Sequence, residues 1–215
     1  MPTVKRKRPY DSSLRKQQAG QTRIRILDAA ETLFAERGYP ASTVEAIAAA
    51  AGVAIDTVYA SFGSKRGVLQ ALLGVRVGGD EDRIDLLDRP GPKAVQREPD
   101  QKAQVAAFAT DVSAILERAR PVDDIIRGAA AVDADIAAFR SEAQAYRYRN
   151  IRKLASWIAA KGPLRPGLTE EDAAAIAWTM ASPEVHGLLR VVRGWSAEQY
   201  RDWLRESLTR ILLPD

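Results

Sequence analysis

The sequence predicts an all-α protein, and three observations predict it. Apolar residues recur at helical spacing along most of the 215-residue chain. No segment sustains the apolar–polar alternation of a half-buried strand. Glycines and prolines fall between the periodic stretches, where helices need stops. About nine helices are expected.

Residues 1–18 are polar and basic, with Lys5, Arg6, Lys7 and Arg8 in one run and no apolar stripe, so they are expected to be a disordered arm. From Arg23 the pattern changes. Ile26, Ala30, Leu33 and Phe34 share one helical face, and Gly38 supplies a stop. A second helix starts at Ser42–Thr43, where Glu45 completes capping-box spacing, and buries Val44, Ile47, Ala48 and Ala51 before Gly52 breaks it. A short third helix runs from about Ile55 to Ser61 with Val58 inward and Phe62 closing it. A fourth opens near Ser64 and buries Val68, Leu69 and Leu72. Helices two and three are separated by a few residues around a glycine, which is helix-turn-helix spacing.

Residues 78–99 hold Gly78-Gly79, an acidic run, and Pro90, Pro92 and Pro99; a linker with room for one helical turn is expected. The remainder reads as helices near 100–119, 122–131, 133–161, 169–194 and 196–213, punctuated by Pro121, Gly162-Pro163, Pro166-Gly167 and Gly194. Thr169 and Ser196 suit N-caps, the latter with Gln199 in capping-box position. Pro183 is expected to kink the fourth of these or start it anew. Domains are therefore expected at 19–65 (helix-turn-helix) and 66–215 (a larger helical domain).

Composition narrows the chemistry. Without cysteine there is no disulfide scaffold, thiol nucleophile or cysteine zinc site, and a single histidine, His186, leaves no His-rich metal centre. No enzyme, metal or cofactor is expected. No apolar run approaches the roughly 18–20 residues of a membrane span, so no membrane partner is expected, and the lack of cysteine fits a cytoplasmic location. Residues 1–77 carry twelve Lys/Arg against six Asp/Glu, whereas 78–215 carry twenty against twenty-two. A basic first third points to an anion-binding module.

Residues 23–72 carry a further signal. Arg23, Ile26-Leu27-Asp28-Ala29-Ala30, Leu33-Phe34 and Gly38-Tyr39 are followed by Thr43-Val44, Ile47-Ala48 and Ala51-Gly52-Val53. Then come Val58-Tyr59-Ala60-Ser61-Phe62, Ser64-Lys65 and Leu69. In this order and spacing the sequence resembles the N-terminal domain of the tetracycline-repressor (TetR) family of bacterial transcription regulators. The stretch from Ser182 to Ser196 also resembles a subgroup of them. The resemblance implies a homodimer that binds a palindromic operator in double-stranded DNA through the third helix. It also implies a small-molecule effector in the C-terminal domain that releases the DNA, the activity of a repressor. Thr43, Ile55, Asp56, Thr57, Tyr59, Ser61 and Lys65 are the implied DNA contacts, joined by the arm Lys5–Arg8 in a phosphate track or the minor groove. Three positions depart from the family pattern: Ala54 is a poor cap, Asp56 stands where a small residue is common, and Ser61 replaces a His or Tyr.

Phe108, Phe139, Tyr146 and Trp178 are candidates for lining the effector pocket. The cluster Arg147, Arg149, Arg152, Lys153 is expected to be a solvated helix face, and His186 a satisfied structural histidine. Leu188, Val192, Tyr200, Trp203, Leu204 and Leu208 are the expected dimer contacts, from the last two helices forming a four-helix bundle with their symmetry mates. An architectural DNA-binding protein without an effector is the alternative reading.

Overall fold

The protein is seen in a computed structural model that describes residues 12–80 and 84–214. Its helices are α1 (Ser12–Arg37), α2 (Val44–Ala51), α3 (Ile55–Phe62), α4 (Lys65–Gly78), α5 (Pro90–Arg97), α6 (Gln101–Ala130), α7 (Ala134–Ala159), α8 (Glu170–Met180), α9 (Pro183–Gly187) and α10 (Ala197–Leu212). There is no strand among the described residues, as the missing alternation foretold.

The apolar stripes build two cores. The first gathers Ile26, Leu27 and Phe34 of α1, Ile47 of α2, Val58 of α3 and Leu69 and Leu72 of α4. The tip of the α6–α7 hairpin adds Val122, Ile126 and Ile136. The second joins α5 through α8 and α10 around Val105, Leu154, Ile158, Tyr200, Leu204 and Leu208. Thus α4 completes the first core with one face, although the expected domain boundary lies at its start.

Several elements differ from the sequence expectation. Helix α1 begins at Ser12, ahead of residue 19. The cap of α2 is Thr43, whose hydroxyl accepts from the Ala46 N–H at 3.2 Å. Ser42 is instead buried, donating to the carbonyls of Leu33 and Gly38. The stretch expected as a linker contains a 3-10 turn at Leu86–Asp88 and then α5, because Pro90 occupies the first helical position, where its missing N–H costs nothing. Pro121 does not split 100–131. α6 runs through it with Ala119 and Val122 buried on either side, and packing there outweighs the hydrogen bond that proline removes. Residues 169–194 are not one helix. α8 ends before Ser182, Pro183 opens α9 with Ser182 as its cap, and a π-helical turn follows at Leu188–Val192. The capping box of Ser196 with Gln199 is present, as is one of Thr169 with Asp172.

Candidate nucleic-acid interface and ligand cavity

α2 and α3 meet at a bend of 108°, within the range of helix-turn-helix pairs. Gly52 makes the corner possible, since its φ of +65° is a left-handed conformation that a Cβ would strain. Val58 anchors α3 inward, leaving the opposite face to solvent: Ile55 and Tyr59 are 41% and 45% exposed, Asp56 is exposed and Thr57 half-buried. Ala54 caps α3 without a side-chain hydrogen bond. Two large side chains are therefore uncovered on an eight-residue helix.

α3 is held from behind. The Arg23 guanidinium donates to the Ser61 carbonyl at 2.7 Å and lies 4.4 Å from the Phe62 ring centre, a cation placed against the carbonyl end of the helix. Lys65 does not point freely outward. Its ammonium donates to the carbonyls of Tyr39, at 2.9 Å, and Pro40, at 3.4 Å, and sits 4.3 Å from the Tyr39 ring centre. Burial there pulls its pKa below the ordinary lysine value. The side chain thus locks the turn before α2 to the start of α4. Thr43 is exposed at the α2 N-terminus, while Ser61 is half-buried with its carbonyl already engaged by Arg23. Lys5, Arg6, Lys7 and Arg8 lie outside the described residues.

α4 connects this surface to the second half of the chain. Its last carbonyls are gripped from outside: Arg89 donates to that of Gly78 at 2.7 Å and Arg118 to that of Arg76 at 3.2 Å. Arg76 in turn pairs with Asp28, at 2.8 Å, and Glu31 on α1. Gly74 and Val77 of α4, with Leu73, which also packs against the first core, form one wall of a cavity of about 570 Å³.

Phe108, Phe139 and Tyr146 line that cavity, and Tyr146 donates to the Asp85 carboxylate at 3.2 Å. Trp178 is not in the lining; it packs edge-on against Tyr148 and face-on against Arg147. Of the cluster expected to be solvated, Arg149, Arg152 and Lys153 are exposed but Arg147 is not. It donates to the carbonyls of Trp178 and Ala181 and to the Gln144 side chain. Burial lowers its pKa to about 10. Sequence reading also missed Asp123, Asn150 and Trp157 as lining residues. A polar residue on an otherwise apolar helical face was the only signal available for the first two.

The expected dimer residues divide. Tyr200, Leu204 and Leu208 are buried in the chain's own second core, with the Tyr200 hydroxyl donating to the Met180 carbonyl at 3.2 Å. Trp203 is half-buried against Trp195 and Tyr200. Leu188 and Val192 are exposed, with Val191 beside them. The stripe of α10 thus packs inward because α6 and α8 already cover it. His186 is buried, 2.9 Å from Glu117 through Nε2 and edge-on to Tyr200. The described residues hold no group of three or more His, Asp or Glu suited to a metal, and no single helix among them is long and apolar enough to cross a membrane.

Residues 26–72 match the family model described as bacterial regulatory proteins, tetR family. The chain is similar to the HTH-type transcriptional regulator TtgW of Pseudomonas putida, at 46% identity over 59 residues, which is 27% of this chain and 44% of that one. It is also similar to the HTH-type transcriptional repressor BepR of Brucella suis, at 37% over 100 residues, 45% of this chain and 47% of that one. The matches thus span less than half the length of these relatives. Over nearly the whole fold it superposes on NalD, the secondary repressor of the MexAB-OprM multidrug efflux pump in Pseudomonas aeruginosa. The TM-score is 0.68 at 22% identity, covering 92% of this chain and 99% of that one. The α2–α3 pair lies inside the matched region, so residues 26–72 are similar to the N-terminal part of the tetR family of bacterial regulatory proteins, and the rest of the chain shares the fold of NalD.

Proposed function

We propose that this protein is a homodimeric, cytoplasmic transcription repressor that binds a palindromic operator through α3 and releases it when a small molecule enters the cavity. One observation carries the reading: α4 belongs both to the core that seats α3 and to the cavity wall. A molecule wedged against Leu73 and Val77 pushes on the same rigid helix that sets the position of α3. In a dimer, the two copies of α3 must lie about 34 Å apart to enter successive major grooves, so a small tilt of α4 breaks the spacing.

In this reading Ile55, Asp56 and Thr57 meet base edges. Tyr59 and the Thr43 end of α2 meet phosphates, and Lys65 contributes its charge while holding the turn. Asp56 accepts from cytosine N4. The exposed apolar group Leu188, Val191 and Val192 supplies the dimer contact. The test is a gel shift with the DNA upstream of the protein's own gene, followed by footprinting. A palindromic footprint whose affinity falls steeply with salt is expected. Failure to shift that DNA at low salt, or a sequence-blind coating of any duplex, overturns the proposal.

A further inference from the structure

The cavity is walled mainly by apolar side chains, among them Leu73, Val112, Ile115, Phe139, Leu154 and Trp157. Three polar side chains interrupt that wall with buried atoms that have no hydrogen-bond partner among the described residues: Asp123 Oδ2, Arg147 Nη2 and Asn150 Nδ2. Arg147 and Asn150 stand three residues apart on α7, on one face; Asp123 faces them from α6. Buried polar atoms are normally paired, so one acceptor and two donors open to an apolar chamber suit a ligand with a single polar end.

The charges around them decide its sign. Arg140 pairs with Glu184 at 2.6 Å, and Arg127 with Asp124 at 2.5 Å, so those groups cancel locally. Glu142 and Arg149 reach solvent. Asp111 rests against the backbone of Gly91 in the first turn of α5, where a carboxylate is favoured. What remains is one carboxyl, Asp123, and one guanidinium, Arg147. A cation would satisfy the first and be repelled by the second; an anion would do the reverse. A hydroxyl does both tasks without adding charge, donating to the carboxylate and accepting from Arg147 or Asn150.

We propose that the cavity takes an uncharged, largely apolar alcohol or phenol whose hydroxyl bridges Asp123 on α6 and the Arg147–Asn150 face of α7. This rests on the cavity being the effector site. The bridge also reaches beyond the cavity, because Arg147 holds the carbonyls of Trp178 and Ala181 just before α9 and the exposed Leu188–Val192 turn.

The experiment is calorimetric titration of the intact protein with 4-butylphenol, 4-butylanisole, 4-butylbenzoate and 4-butylbenzylammonium. The phenol is expected to bind at least about tenfold tighter than the other three, since a site built to bond a hydroxyl rejects the analogue lacking it. Asp123→Ala is expected to erase the preference for phenol over anisole. The wild-type comparison stands alone should that variant not fold. Anisole equal to phenol, or either ion binding tightest, overturns the proposal. So does no binding by any of the four. An operator shift that persists alongside no binding leaves the DNA-binding reading intact. A phenol preference without any operator shift supports the cavity chemistry and sinks the regulator.

Discussion

Gly67 is the position where one atom should matter most. It lies in the first turn of α4, in ordinary helical conformation, and a Cβ built there falls 1.9 Å from the Phe62 carbonyl oxygen and 3.1 Å from its carbon. Real Cβ atoms essentially never come closer than 3.0 Å, so Gly67→Ala forces the end of α3 and the start of α4 apart by at least about 1 Å. The obstacle is backbone, so no rotamer change relieves it. Two effects compete. Alanine favours a helix over glycine by about 1 kcal/mol, whereas overpacking a tight contact costs about 1–3 kcal/mol. With a rigid neighbour the upper end applies, and a net loss of about 1–2 kcal/mol is expected in urea unfolding. Operator affinity should fall further, because a displaced α3 loses base contacts worth about 1–3 kcal/mol each, and tenfold in affinity is about 1.4 kcal/mol. Fluorescence anisotropy on the footprinted operator should show a loss of tenfold or more. Gly128→Ala, on α6, is the control: nothing lies within 4 Å of its Cβ, and a gain of about 0.5–1 kcal/mol is expected. A Gly67→Ala protein as stable as wild type and equally tight on DNA would refute the reasoning.

Tyr59→Phe should weaken binding to every duplex alike, whereas Thr57→Ala should change the preferred sequence; competition gel shifts on operator variants separate the two, and the reverse pattern would exchange their roles. Lys65→Met should cost about 1 kcal/mol of stability through loss of its bonds to the Tyr39 and Pro40 carbonyls. It should lower the salt slope of DNA binding by no more than about one; an unchanged urea midpoint would show those bonds to be idle. Tyr200→Ala should destabilise the fold by about 3–5 kcal/mol, as a fully buried aromatic does, while Val192→Asp should yield a folded monomer by light scattering whose urea midpoint no longer depends on protein concentration. A Val192→Asp dimer would move the interface elsewhere. Burial pushes the His186 imidazole below its ordinary value of 6.5, against the opposing pull of Glu117. The unfolded chain therefore takes up the proton first, and stability falls as pH drops below about 6.5, with no effect above it. His186→Gln should flatten that part of the urea-midpoint profile, and parallel profiles would contradict it.

Much of the fold was legible locally. Stripes such as Ile26, Ala30, Leu33, Phe34 and Val68, Leu69, Leu72 are periodicities within one helix, and caps such as Ser64 and Ser196 act over three residues. The turn between α2 and α3 was readable for the same reason, since Gly52 decides it alone. Where the reading failed, a distant partner had intervened: α6 and α8 cover the α10 stripe, and Ala181 and Trp178 draw Arg147 inward from a basic run.

By itself, then, the amino-acid order determined an all-helical chain, the helix-turn-helix and the exposed face of α3, because these depend on contacts between near neighbours along the backbone. Only the tertiary structure decided which apolar stripe faces solvent and which polar side chains share the cavity. It also decided that α4 belongs to both halves. Burial is a property of what packs from far along the chain, and no local pattern encodes it.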